Sequence, residues 1–362
     1  MRRLLFLIVL CLLLSGTVSA SESLRDQAID FGADVLEENL PRSTEKMLDD
    51  LSPFDAFSFT EKLKDLLEDL RDRADSLWKP VLKTMIRILC ILVLCGLAEC
   101  FDQEGLKRIV LVAGSLAIVV TCTADMKSLI GLGLSTMDEI SSFSSLLLPV
   151  MTSAAAASGA QSGAAALYAV SVLFSGLFIR MLNGVFLPVL YAALALSVLD
   201  TILQDQRLQN MKSFCFWIVK TGLKTIMYVF TGFLSVSGIL SGSTDAMRLK
   251  AAKITLSGMI PVVGGIVSDA ADTVLTGANY LRSTIGAYGM IVVLAVFFVP
   301  FFTIGLQYLS FRLLAVLSGI LGSKLMKLLE SISDVMGYLL AMVGCSLVMC
   351  YLSCFSIMQV GK

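Results

Sequence analysis

Between Tyr288 and Leu309 the chain runs for twenty-two residues without a charge. As a helix, such a run crosses the roughly 30 Å hydrocarbon core of a bilayer with all its backbone groups paired internally. Other apolar runs flank it at about 81–98, 109–121, 140–157, 164–179, 182–199, 214–240 and 335–360. Charged residues make up 16% of the chain, and mean hydropathy is +0.84, whereas soluble domains carry about 25% charged residues. Too little polar surface remains to coat a water-soluble globule of this length. The expectation is an all-α, polytopic helical membrane protein with about seven or eight transmembrane helices, preceded by a small N-terminal helical extracytoplasmic region.

The first twenty residues read as a signal peptide. Arg2 and Arg3 supply a positive start, Leu4 to Leu14 an apolar core too short to span, and Val18-Ser19-Ala20 the small residues a signal peptidase reads. Cleavage is expected after Ala20, with an uncleaved anchor as the rival. Residues 21–78 hold sixteen acidic and seven basic residues, and 79–362 hold thirteen and nineteen. The near-neutral net charge of −1 thus hides an acidic head on a basic membrane domain. Within the head, one amphipathic segment runs from about Ser23 to Leu40 and stops at Pro41. A second starts near Thr60 and places Leu63, Leu66, Leu67 and Leu70 on one face. The signal peptide puts this head outside. The Lys/Arg tally over the loops gives no independent vote.

Within the membrane domain, Ile109–Thr121 is short for a span, Pro149 interrupts 140–157, and 313–334 reads as a charged helix at the interface. Arg87, Arg180, Lys220 and Lys224 fall inside or at the ends of apolar runs and read as interface anchors. The chain has no histidine, which removes Ser-His-Asp and Cys-His catalysis and His-bound zinc. Nine cysteines occur without CxxC spacing, and those beyond Cys11 lie in or beside apolar runs, so they read as small apolar packers. No P-loop, dinucleotide fingerprint, HExxH or nucleic-acid-binding pattern is present. The chain reads as non-enzymatic, without cofactor or metal, and any energy source lies in a partner.

Two stretches stand out. Ser153–Ala166 contains Gly159-x-x-x-Gly163 in a run of alanine and serine; it is either a turn between two spans or a close helix–helix contact. Residues 258–275 break an apolar run at Pro261, Gly264 and Gly265 and place Asp269 and Asp272 three residues apart, on one helical face. Irregular backbone and acids at membrane depth mark functional candidates; the plain alternative is a surface helix with both carboxylates in water.

Several motifs coincide along this topology: Gly131–Met137 (GLGLSTM), Leu147-Leu148-Pro149, Asn183–Pro188 (NGVFLP), and Ile260–Gly265 (IPVVGG) followed by Ser268-Asp269-Ala270 and Asp272-Thr273-Val274. In this order the chain resembles the stage III sporulation protein AE family of endospore-forming bacteria, over about residues 80–360 and more loosely over the head. The resemblance implies a membrane subunit of a secretion-like channel complex between mother cell and forespore. It also implies companions: a secretion-type ATPase, ring-forming subunits and other small membrane proteins. It supplies no catalytic residues. A stand-alone small-molecule permease is the second reading, since interrupted helices suit transport sites.

Overall fold

The computed structural model describes residues 28–41, 44, 59–99, 104–259, 264–321 and 325–360. The predicted cleavage site at Ala20, and Pro261, lie outside them. The described residues form helices: α1 (Ala33–Glu38), α2 (Phe59–Glu99), α3 (Glu104–Ala157), α4 (Gln161–Met181), α5 (Leu187–Leu203), α6 (Gln206–Met259), α7 (Gly264–Ile320) and α8 (Met326–Gln359). A π-helical turn, Leu182–Phe186, joins α4 to α5. There is no strand among the described residues.

Among the described residues, five helical stretches are long and apolar enough to cross a membrane: Leu77–Leu97, Ile109–Ala157, Gln161–Leu203, Leu275–Ile320 and Met326–Gln359. This number is lower than the eight apolar runs because two pairs of neighbouring runs merge and because the run at 214–240, on α6, is not among the candidate spans of the described residues. The runs at 109–121 and 140–157 lie on the single helix α3. The residues between them include Asp125, Lys127, Asp138 and Glu139 but no proline, and a dip in hydropathy does not break backbone hydrogen bonding. Pro149 is accommodated inside α3. The runs at 164–179 and 182–199 likewise join through the π turn, which precedes Pro188. Proline lacks the N–H that would bond the carbonyl four residues back, so the ladder adjusts there instead of ending. Residues 313–334 are not one interfacial helix: they finish α7, turn, and begin α8. The helix expected from Thr60 and the span expected from 81 are both part of α2, which carries Pro80 inside it.

α3 has 54 residues, about 80 Å at 1.5 Å per residue. That exceeds any bilayer core, so a straight crossing by α3 would extend well past the hydrocarbon. α7 is the most buried candidate span and α2 the least. α7 packs along α8, with α3 against both, while α6 covers α4 and α5. Large apolar side chains still point outward, among them Leu94 (67% exposed), Val120 (74%) and Leu173 (71%). In water such a surface would be an aggregation site; in lipid it is the face the solvent prefers.

In the head, residues 28–30 form a helical turn that ends at Gly32 (φ 84°), and α1 follows. The expected single segment from Ser23 to Leu40 is thus broken in the middle, and it stops before Pro41 with Asn39 Nδ2 donating to the Val35 carbonyl. Ala28, Ala33 and Leu36 are buried, and the Ser153 hydroxyl donates to the Phe31 carbonyl at 3.4 Å. The acidic segment therefore packs on the C-terminal end of α3. In the second amphipathic segment Leu66 is buried and Leu67 exposed.

The α3–α4 connection explains the alanine-rich stretch. Gly159 has φ 90°. Its N–H donates to Ala156 O, and Ala160 N–H donates to Ala155 O, both at 3.0 Å. This is a Schellman motif with glycine at the left-handed position. Gly159 thus ends a helix, and Gly163 is buried in the first turn of α4. Gly159→Ala is expected to cost about 1–2 kcal/mol, the strain of a Cβ in this conformation, read as a lower thermal midpoint by circular dichroism in detergent.

Candidate functional site: polar groups inside an apolar bundle

Polar side chains held within a lipid-solvated bundle are costly, and they are the groups from which function is read. The most deeply buried charges among the described residues lie at the two ends of the α7–α8 pair. Arg282 and Arg312 are thirty residues apart on α7, about 45 Å. That distance is comparable to a bilayer with its head groups.

At the first end, Arg282 is fully buried. Its Nη1 donates to Val360 O at 2.7 Å and to Ser158 Oγ at 3.4 Å. Ser158 in turn donates to Ala155 O. Val360 follows the last turn of α8, where carbonyls lack helical partners and the helix dipole favours a cation. One guanidinium thus ties the end of α8 to the Schellman turn around Gly159. Its Nε and Nη2 have no hydrogen-bond partner among the described residues. A buried guanidinium with unpaired N–H groups is expensive.

At the other end, α5 to α8 meet in a set of charges. Lys212 Nζ pairs with Asp200 Oδ2 at 3.2 Å, both largely buried, and also donates to Ser331 Oγ at 3.3 Å. The local sequence builds this pair. Gln204 takes the left-handed conformation after α5, with its N–H on Asp200 O. Asp205 then caps α6, its carboxylate accepting the Arg207 N–H at 2.9 Å. That turn brings Lys212, two helical turns later, back to Asp200. Nearby, Arg312 on α7 bridges Glu330 (3.2 Å) and Asp334 (3.8 Å) on α8, all half-exposed; such pairs contribute little each. Between α2 and α3, Thr84 donates to Asp125 at 2.5 Å.

The sequence candidates distribute unevenly over this arrangement. Gly159 adjoins Ser158 and hence Arg282. Gly264 and Gly265 open α7, and Asp269 and Asp272 lie in its first turns. Arg282 comes ten residues after Asp272, about 15 Å along the same helix. Arg87, Arg180, Lys220 and Lys224 are all exposed. Arg282 is not among the sequence candidates, although one signal marks it: it directly precedes a long charge-free run, 283–311.

No solved structure matches the chain. A protein of Bacillus subtilis (strain 168) described as "Stage III sporulation protein AE" is 22% identical over 279 residues, which is 77% of this chain and 70% of that protein. The family model for stage III sporulation protein AE matches residues 43–361, which takes in α2 to α8 and both polar clusters. The chain belongs to the stage III sporulation protein AE family.

Proposed function

We propose that the protein is a non-enzymatic integral membrane subunit of a secretion-like channel complex joining mother cell and forespore, needed for late forespore development. In this reading it sits as a multi-pass protein in the mother-cell membrane around the forespore, with its acidic N-terminal region in the intermembrane space. The shorter apolar runs merged into α3 and into α4–α5 would bring the number of membrane passages to seven if those helices bend in the assembled complex, and to eight if the 214–240 run of α6 also crosses. Its partners are ring-forming subunits, other membrane subunits and a secretion-type ATPase. The observation that supports the reading best is family membership across nearly the whole membrane domain, on a chain whose exposed side chains call for lipid.

Deleting the gene in a spore-forming host tests it. Engulfment is expected to proceed and forespore development then to stop, and the tagged protein is expected to co-purify with an ATPase and ring-forming proteins. Unimpaired sporulation would refute the reading. Substrate flux through liposomes containing this protein alone would favour a permease.

Arg282 provides a residue-level arm. Methionine fills nearly the same volume. It gives up the bonds to Val360 O and Ser158 Oγ but also removes a buried charge whose Nε and Nη2 are unpaired among the described residues, and the two effects offset. Arg282→Met is expected to accumulate normally with a thermal midpoint no lower than wild type, while sporulation falls. Wild-type sporulation in this variant would reduce Arg282 to a packing residue.

A further inference from the structure

Three helices that each form part of a candidate span, α3, α4 and α8, leave a pocket between them lined by Ser141, Ser144, Ser175, Ser346, Cys350 and apolar neighbours. Its depth follows from counting. Ser144, Ser175 and Ser346 each lie fourteen residues from Ser158, Gln161 and Val360 respectively, so the pocket is about 21 Å along the helices from the end where Arg282 sits.

Hydroxyls in these helices usually satisfy themselves. Thr152 donates to Leu148 O, Ser171 to Leu167 O and Ser353 to Met349 O, at 2.7 to 2.9 Å. The pocket serines break the habit. Ser144 donates across the helix interface to Cys350 Sγ at 2.9 Å. Ser141, Ser175 and Ser346 have no hydrogen-bond partner among the described residues, although Ser346 is only 7% exposed. An unpaired hydroxyl at this depth is costly. The cavity leaves about 20 Å³ to the centres of water molecules, above the about 10–15 Å³ that one water needs.

Charged residues adjoin it. Asp138 and Glu139 precede the lining residue Ile140 on α3, and Arg180 follows the lining residue Ile179 on α4. Asp138 and Arg180 are exposed, and charges on membrane helices draw water to themselves.

We propose that this pocket is a hydrated binding site inside the bundle, occupied by water or an equally small neutral hydrogen-bonding solute, and entered from the Asp138–Glu139–Arg180 rim. Its lining has donors and acceptors but no charge, which fixes the ligand class. The inference stands apart from the channel-complex reading: it concerns this chain alone in a bilayer and holds or fails whether or not sporulation partners exist.

Silver ion, a small hydrophilic thiol reagent, tests it. Ser175→Cys, Leu173→Cys and Asp138→Cys are placed singly in the full chain and reconstituted in liposomes. Each is exposed to silver, then denatured, and the thiols left free are alkylated and quantified by peptide mass spectrometry. Leu173 lies two residues from Ser175 on the lipid-facing side, 71% exposed, and Asp138 reports the rim. The thiol introduced at position 175 is expected to be protected at silver concentrations close to those that protect the rim thiol, and roughly tenfold lower than the lipid-facing thiol requires, because thiolate forms only in contact with water. Protection at position 175 no better than at position 173 overturns the proposal, whether both thiols react or neither does. If Ser175→Cys does not accumulate, Ser141→Cys takes its place with the same expectation.

Discussion

Leucine at position 289 is expected to abolish accumulation of the folded protein. α7 presents Gly289 to α3 so closely that a Cβ would fall on the methyl groups of Leu147, with Leu147 Cγ at 2.9 Å. One turn earlier a Cβ on Gly286 would lie 2.7 Å from Met358 Sδ and 2.8 Å from Met151 Cε. At this level the core of α3, α7 and α8 closes because α7 has no side chains there, the arrangement by which helices in lipid gain their packing energy. Gly289→Leu adds a whole side chain to a filled space and forces α3 outward, a loss of more than about 3 kcal/mol. Leu147→Ala in the same chain should recover part of it, since the two positions share one volume. Gly131 is the control. It is exposed with nothing near its Cβ position, and Gly131→Ala should stabilise by up to about 1 kcal/mol through helix propensity alone. Monodisperse yield in detergent and the thermal midpoint report all of these. Equal effects at 131 and 289 would show that α3 and α7 do not meet at Gly289.

Removing the cation of the buried pair is the second large effect. Asp200 is 3% exposed and Lys212 12%. Lys212→Met leaves a carboxylate in an apolar surrounding with no counter-charge, expected to cost about 3–5 kcal/mol. Adding Asp200→Asn neutralises that carboxylate, and most of the loss should return. Such rescue distinguishes an uncompensated charge from lost packing of the lysine stem. If the double variant is as unstable as Lys212→Met, the Asp200–Lys212 contact is not what holds the α5–α6 turn against α8.

The membrane domain was legible in the sequence because lipid solvation acts on composition and run length, which are local properties, and the family because motifs such as Asn183–Pro188 and Ile260–Gly265 are contiguous in the chain. The number of helices was less so. Residues 122–139 and Arg180 look like loops by hydropathy, yet polar residues form helices readily and only proline, glycine or a cap ends one. Gly159 was legible as a turn candidate, and the Schellman bonds at Ala155 and Ala156 explain why the alanine run stops there. Arg282 escaped because its meaning is tertiary: Ser158 and Val360 lie 124 and 78 residues away in sequence. The serine pocket escaped for the same reason, since Ser144, Ser175 and Ser346 are unremarkable until three helices bring them together. Asp269 and Asp272 keep their helical register at the start of α7, and Arg282 follows them on the same helix.

Lipid solvates the helices between residues 77 and 359, and alkaline carbonate extraction of membranes followed by density flotation tests this directly. The protein is expected to float with the lipid after the wash, as a chain held by its apolar faces must. Release of the intact chain into the carbonate supernatant as a monodisperse, helical species would show that lipid does not solvate these helices.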